Sequence, residues 1–185
     1  MAEITSVFQS SIESSYVLTR QAAFWVVEET NPNSKNTKLL VNGSGIFGFS
    51  LDSNLVPKPA WKFIKSNAVK GLSSVCDGIF VTSHDQRDYF IVIDLKSTKS
   101  TGISKQLLTS IHLCKWLHNV LSLHGHLNKE TRFAGVVSKI SNRTQAAKIG
   151  SVRKPIPEPI IHQGFPIFQL HDVQKISLND ICSKC

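Results

Sequence analysis

Apolar side chains recur every three or four residues in two parts of the chain, and this spacing places them on one face of a helix. The first part covers residues 3–18, and the second, longer part covers residues 103–121. Residues 142–149 are polar and basic, and they favour a third, short helix. The pattern therefore predicts a helix near the N-terminus, a long helix in the middle of the chain and a short basic helix after it.

Short runs of β-branched and aromatic residues, separated by turn-forming residues, indicate strands. A polar loop at residues 84–87 separates two such runs and favours an antiparallel hairpin. In the second of these runs Ile91, Val92 and Ile93 are consecutive, which is typical of a central strand buried on both faces. The predicted strands cover residues 37–41, 46–49, 74–83, 88–95, 133–137 and 166–170.

These elements predict an α/β fold in which a central mixed β-sheet is flanked by helices. The dipeptide Asn42-Gly43 predicts a turn that joins the first two strands. A length of 185 residues with 41% hydrophobic content suits one domain over residues 1–185.

Composition narrows the class of protein. No apolar run approaches the ~18 residues that span a bilayer, and the N-terminus lacks a signal-peptide pattern. The four cysteines are few and irregularly spaced, which favours free thiols in a reducing compartment. We therefore expect a soluble cytoplasmic protein with no membrane contact and a flexible tail at residues 180–185.

Positive charge is concentrated in one part of the chain. The formal net charge is +8, and residues 95–157 hold eleven Lys and Arg residues against one acid, Glu130. A stretch polarised in this way favours a polyanionic partner, with nucleic acid first and an anionic membrane surface second. Composition does not choose between these partners.

Two aspartates and a lysine belong to the predicted hairpin. Asp77 is in its first strand and Asp94-Leu95-Lys96 ends the second, so adjacent strands can bring both carboxylates and the ammonium to one edge of the sheet. Two carboxylates supply the oxygen ligands that Mg²⁺ or Mn²⁺ prefers, and an ammonium can orient water or a developing anion in phosphodiester hydrolysis. A second interpretation stays open, because Asp77-Gly78 is also a turn signal and Asp94 can cap the following loop.

Three segments surround these residues: an apolar segment that contains Asp77, a strand that ends in Asp94-Leu95-Lys96, and the opening of the long helix. They are Val75–Phe80, Phe90–Thr98 and Lys105–Leu108. Over about residues 70–140 the chain resembles the PD-(D/E)XK, or restriction-endonuclease-like, nuclease superfamily. The resemblance implies a restriction-endonuclease-like core and four functional positions. Asp77 and Asp94 would be metal ligands, the Leu95 carbonyl a further ligand, and Lys96 the catalytic lysine.

Two further candidates follow from the resemblance alone. Many members add an acid from the first helix, and Glu13 is the candidate for that ligand and catalytic residue. RecB-type members carry a glutamine on the helix after the lysine motif, and Gln106 is placed similarly, whereas Ser110 departs from that branch's aromatic residue. Alternatively, Glu13 is a solvated acid on a helix flank and Gln106 an ordinary helix-start residue.

Basic residues beyond the motif are candidate contacts to phosphates, with a solubilising surface as the alternative. They are Lys99, Lys105, Lys139, Arg143, Lys148, Arg153 and Lys154. We predict a nuclease that uses Mg²⁺ or Mn²⁺ to hydrolyse DNA through a metal-activated water, as a homodimer or with a partner protein subunit. One alternative is a catalytically inactive nuclease-fold protein that binds nucleic acid or acts as an assembly subunit. Another is a basic protein that binds an anionic membrane or an acidic protein.

Overall fold

The structure is a computed structural model that describes residues 3–29, 34, 36–51, 74–96, 103–127, 129–140 and 155–185. The helix predicted at residues 142–149 lies outside the described residues. Five candidate phosphate contacts lie outside them as well, namely Lys99, Arg143, Lys148, Arg153 and Lys154.

The described residues form an α/β fold with three α-helices and two mixed β-sheets. The helices are α1 (Ile4–Ser11), α2 (Lys105–Leu123) and α3 (Leu178–Cys182). The strands are β1 (Arg20–Gln21), β2 (Phe24–Glu28), β3 (Lys38–Asn42), β4 (Ile46–Phe49), β5 (Gly78–His84), β6 (Arg87–Lys96), β7 (Thr131–Lys139), β8 (Ile160–His162), β9 (Phe165–His171) and β10 (Lys175–Ser177). In this part of the chain, no helix is both long enough and apolar enough to cross a membrane.

The larger sheet has six strands in the order β4-β5-β6-β7-β9-β8. The predicted hairpin is confirmed: β5 and β6 are antiparallel, and Asp85 and Gln86 make the turn with positive φ angles. β6 and β7 run parallel, and α2 lies between them in the chain as their crossover. Residues 88–95 of β6 are buried, as expected for a central strand.

The smaller sheet has four strands in the order β1-β2-β3-β10. Both strands predicted around Asn42-Gly43 exist, but they do not form a hairpin. β3 has β2 on one side and β10 on the other, so both of its edges are already paired, while β4 pairs with β5 in the larger sheet. Asn42 is the last residue of β3, and residues 43–45 carry the chain from one sheet to the other.

Helices α1 and α2 cover one face of the six-stranded sheet, and the smaller sheet covers the other. On one face Phe8 of α1 packs edge-on against Phe90 of β6, with ring centroids 5.3 Å apart, and α2 lies on β6 and β7. On the other face Trp25 of β2 packs against Phe80 of β5, with centroids 6.4 Å apart. One hydrophobic core runs through these layers.

The first helix is shorter than predicted. α1 ends at Ser11, Ile12 is extended, and a 3₁₀ turn follows at Ser14–Tyr16. The backbone there pairs with β4 and its continuation, because the N–H of Leu18 donates to Gly48 O at 3.1 Å. Pairing with the sheet edge thus overrides the helical period over the second half of the predicted helix.

The C-terminal segment also differs from the prediction. β9 confirms the strand predicted at residues 166–170, but β10 and α3 follow it. Ile181 and Cys182 are buried in the core, and Arg132 Nη1 donates to Cys185 O at 2.9 Å. Where the sequence predicts a flexible tail at residues 180–185, the structure thus has the end of a helix whose apolar side chains lie in the core.

Candidate active site

The two aspartates predicted to meet do lie together at one edge of the larger sheet. The last pair of the β5–β6 hairpin joins Gly78 to Ile93, so Asp77 and Asp94 follow side by side on neighbouring strands. The N–H of Leu95 donates a 2.5 Å hydrogen bond to Asp77 Oδ2. This bond fixes the Asp77 carboxyl against the end of β6.

Asp77 is 4% exposed, and its surroundings disfavour the charged form. Burial raises the pKa of Asp77 to about 8, and the charges of Asp94 and Glu29 add to the rise. The Leu95 hydrogen bond and the Lys96 ammonium oppose it. At neutral pH the Asp77 carboxyl therefore holds a proton, which a cation binding there would displace.

Asp94 is fully buried, and its charge is compensated within the site. Lys96 Nζ lies 2.8 Å from Asp94 Oδ1, and Ser104 Oγ donates to Asp94 Oδ2 at 2.5 Å. Although the ammonium is close enough to neutralise Oδ1, that oxygen has no hydrogen bond of acceptable geometry from the described residues. A buried carboxylate without a compensating charge would cost several kcal/mol, so Lys96 offsets the cost of burying the Asp94 charge.

Gln106 joins the predicted lysine to the irregular segment that precedes Asp77. Lys96 Nζ donates to Gln106 Oε1 at 3.2 Å, while Gln106 Nε2 donates to the carbonyl of Val75. The amide thereby holds the ammonium in one place between β6 and the first turn of α2. Among the predicted site residues, the structure brings together Asp77, Asp94, Leu95, Lys96 and Gln106.

Two serines of the α2 region were not predicted as site residues. Ser104 is the N-cap of α2, where its hydroxyl accepts from the N–H of Leu107 at 3.1 Å while donating to Asp94. Ser110 is buried, and its hydroxyl accepts from the N–H of Cys76 at 2.9 Å. A serine just before a helical period is a capping signal, which could have identified Ser104. Nothing local distinguishes Ser110, although its contact explains why a small polar residue stands there.

Glu13 is not part of this arrangement. It is exposed at the start of the 3₁₀ turn, and no hydrogen bond or ion pair joins it to either aspartate in the described structure. The acid that acts on Asp77 from outside the larger sheet is Glu29, which directly follows β2. A Cβ on Gly78 would lie 3.0 Å from a Val27 methyl, so this glycine lets β2 approach the start of β5 and brings Glu29 near.

The donor set fits a hard cation with few protein ligands. Within the described residues no group of three or more His, Cys, Asp or Glu side chains is arranged to hold a metal ion. Mg²⁺ is commonly bound by only one or two carboxylates, with waters and substrate phosphates completing its coordination. Asp77 and Asp94, with Asp94 Oδ1 lacking a hydrogen bond, meet that requirement.

Two of the candidate phosphate contacts are described. Lys105 is the exposed first residue of α2, one position after the serine that holds Asp94. Lys139 ends β7 and is the register partner of Lys96. Both therefore lie at the same edge of the sheet as the aspartates.

Comparison of the chain with protein-family models, with curated proteins and with solved structures gives no match. The functional argument therefore depends on the residues and geometry of this edge.

Proposed function

We propose that this edge is the active site of a Mg²⁺- or Mn²⁺-dependent nuclease that hydrolyses DNA phosphodiester bonds. The observation that carries the proposal is the buried grouping of Asp77, Asp94 and Lys96 at the ends of two paired strands. An antiparallel hairpin, a helix and a parallel strand follow one another as β5, β6, α2 and β7. That succession supports a restriction-endonuclease-like core.

Each residue has a role in this proposal. Asp77, Asp94 and the carbonyl of Leu95 would hold the cation, which when bound acts as a Lewis acid on water and offsets phosphate charge. Lys96 would orient the attacking water or stabilise the negative charge that develops on phosphate. Gln106 keeps the ammonium in place, and Ser104 fixes the rotamer of the Asp94 carboxylate. Lys105 and Lys139 would contact neighbouring phosphates.

A second candidate is a nuclease-fold protein that binds nucleic acid, or assembles with a partner, without cleaving. The observation in its favour is that the charges of the site are already balanced by its own residues. Lys96 already neutralises Asp94, and the Asp77 carboxyl is protonated at neutral pH. On this account the buried ion pair has a purely structural role.

A cleavage assay separates the two candidates. Linear, circular, branched and single-stranded DNA would each be incubated with Mg²⁺ or Mn²⁺ and compared with chelated controls. We expect metal-dependent products from the native chain and none from Asp94→Asn. Asp88→Asn is the matched control, because Asp88 is also a buried aspartate of β6 but lies at the opposite end of the strand. Salt-sensitive DNA binding without cleavage of any substrate would favour the non-catalytic candidate.

A further inference from the structure

The strand register aligns three basic residues across the edge of the larger sheet. Lys96 of β6 pairs with Lys139 of β7, and Lys139 pairs with His171 of β9. These three strands are parallel, so their carboxyl ends lie at the same edge. Neighbouring strands are about 4.8 Å apart, so the backbone positions of the three residues span roughly 10 Å. We name Lys96, Lys139 and His171 the cationic row, after the charge of its two lysines.

The cationic row faces the same side of the sheet as Asp94. Alternate residues of a strand share a face, so Lys96 and Asp94 point to one side, and residues paired across strands point the same way. Lys96 and Lys139 are both half-buried, and His171 is exposed. The row therefore leads from the buried aspartates outward to solvent.

The backbone at the outer end of the row is anchored. The N–H of Asp172 donates to the carbonyl of Lys139 at 2.8 Å, which ties the end of β9 to the end of β7. Asp172 has a φ of 55°, so the chain turns out of the strand directly after His171. His171 is thus the last residue of β9 in the row.

We propose that the cationic row is the path of one DNA strand, which leaves the proposed cleavage site across the ends of β7 and β9. This inference rests on the proposed function for its starting point at Asp94 and Lys96. A strand of duplex DNA rises about 3.4 Å of helix axis per phosphate but also winds around the axis, so its consecutive phosphates are farther apart than this rise, and a row of roughly 10 Å faces about two of them. The scissile phosphate lies at Lys96, and the next one lies between Lys139 and His171.

Salt-dependent binding of the full chain to DNA tests the path without cleavage. Fluorescence anisotropy would follow a labelled single strand and the same sequence as a duplex, in chelator, over a series of salt concentrations. Removing one phosphate contact lowers the slope of log affinity against log salt by about 1. We expect this change for Lys139→Gln, and at least about fivefold weaker binding for His171→Glu.

Two variants control for net charge. Lys129→Gln removes the same charge from a residue that lies just before the first residue of β7, about 30 Å from Lys139 at the other end of the strand. His126→Glu changes another exposed histidine just beyond α2. Both should bind DNA with the native slope and affinity within about twofold.

Each result then bears on one of the two claims. The path would be overturned if Lys139→Gln and His171→Glu bind DNA with native slopes and affinities, or if the control variants lose as much binding. It would also be overturned if the chain binds anionic lipid vesicles and does not bind DNA. If the path variants lose binding as expected but Mg²⁺ and Mn²⁺ support no cleavage, the path stands and the hydrolytic function is wrong. If the native chain cleaves DNA and the path variants bind normally, the hydrolytic function stands and the path is wrong.

Discussion

Replacing Asp77 with asparagine should change how stability depends on pH. In the folded chain the pKa of Asp77 is raised from its ordinary value near 3.8 to about 8 by burial. Between these two values the folded state holds a proton on Asp77 that the unfolded state has released. Stability therefore falls as pH rises through this window and levels off above pH ~8. Asparagine keeps an oxygen that can accept from the Leu95 N–H and has no proton to release.

The size of the effect follows from the difference in proton binding. One proton bound only by the folded state changes the free energy of unfolding by about 1.4 kcal/mol per pH unit. Between pH 5 and pH 8 the native chain should lose roughly 3–4 kcal/mol relative to Asp77→Asn, because the slope flattens near the folded-state pKa. Other titrating groups are common to both proteins, so they largely cancel in this comparison.

Urea unfolding at pH 5, 6, 7 and 8 measures the difference directly. Asp85→Asn, at the exposed β5–β6 turn, controls for loss of a surface carboxylate. If the native and Asp77→Asn curves run parallel from pH 5 to pH 8, Asp77 is not a desolvated carboxyl. The claim that a cation binding at Asp77 displaces a proton would then be wrong.

Three further substitutions test the supports of the site and the fold. Ser104→Ala removes both the α2 N-cap and the hydrogen bond to Asp94, so urea unfolding should show a loss of about 1–3 kcal/mol, whereas Ser104→Thr should retain most of it. Gly135→Ala places a Cβ 2.8 Å from a Leu107 methyl, and thermal unfolding should show a loss of about 1–3 kcal/mol. Glu13→Gln should leave stability within about 0.5 kcal/mol and metal-dependent cleavage unchanged, because the side chain is exposed and makes no described contact with either aspartate.

The central elements of the fold could be predicted because their local patterns are long and unambiguous. Ile91, Val92 and Ile93 indicate a buried strand without any tertiary information, and the period from Ile103 continues through the whole of α2. Because the start of β5 lies beside the end of β6 in an antiparallel hairpin, the proximity of Asp77 and Asp94 followed from strand order.

Other parts of the structure depend on contacts between distant segments. β10 has three residues, and it pairs with β3 from more than a hundred residues away, so no local pattern indicates it. Glu29 reaches the site only because β2 packs over Gly78. Lys139 was predicted as a phosphate contact, but its alignment with His171 needs the register of three strands.

The most direct measurement of the proposed activity uses a variant that loses both members of the buried ion pair. Asp94→Asn/Lys96→Gln leaves neither charge uncompensated, so it should retain the native circular dichroism spectrum. With Mg²⁺ and the DNA substrate that the native chain cleaves fastest, its single-turnover rate should fall at least about a hundredfold. A folded double variant that cleaves at the native rate would show that this edge of the sheet is not the active site.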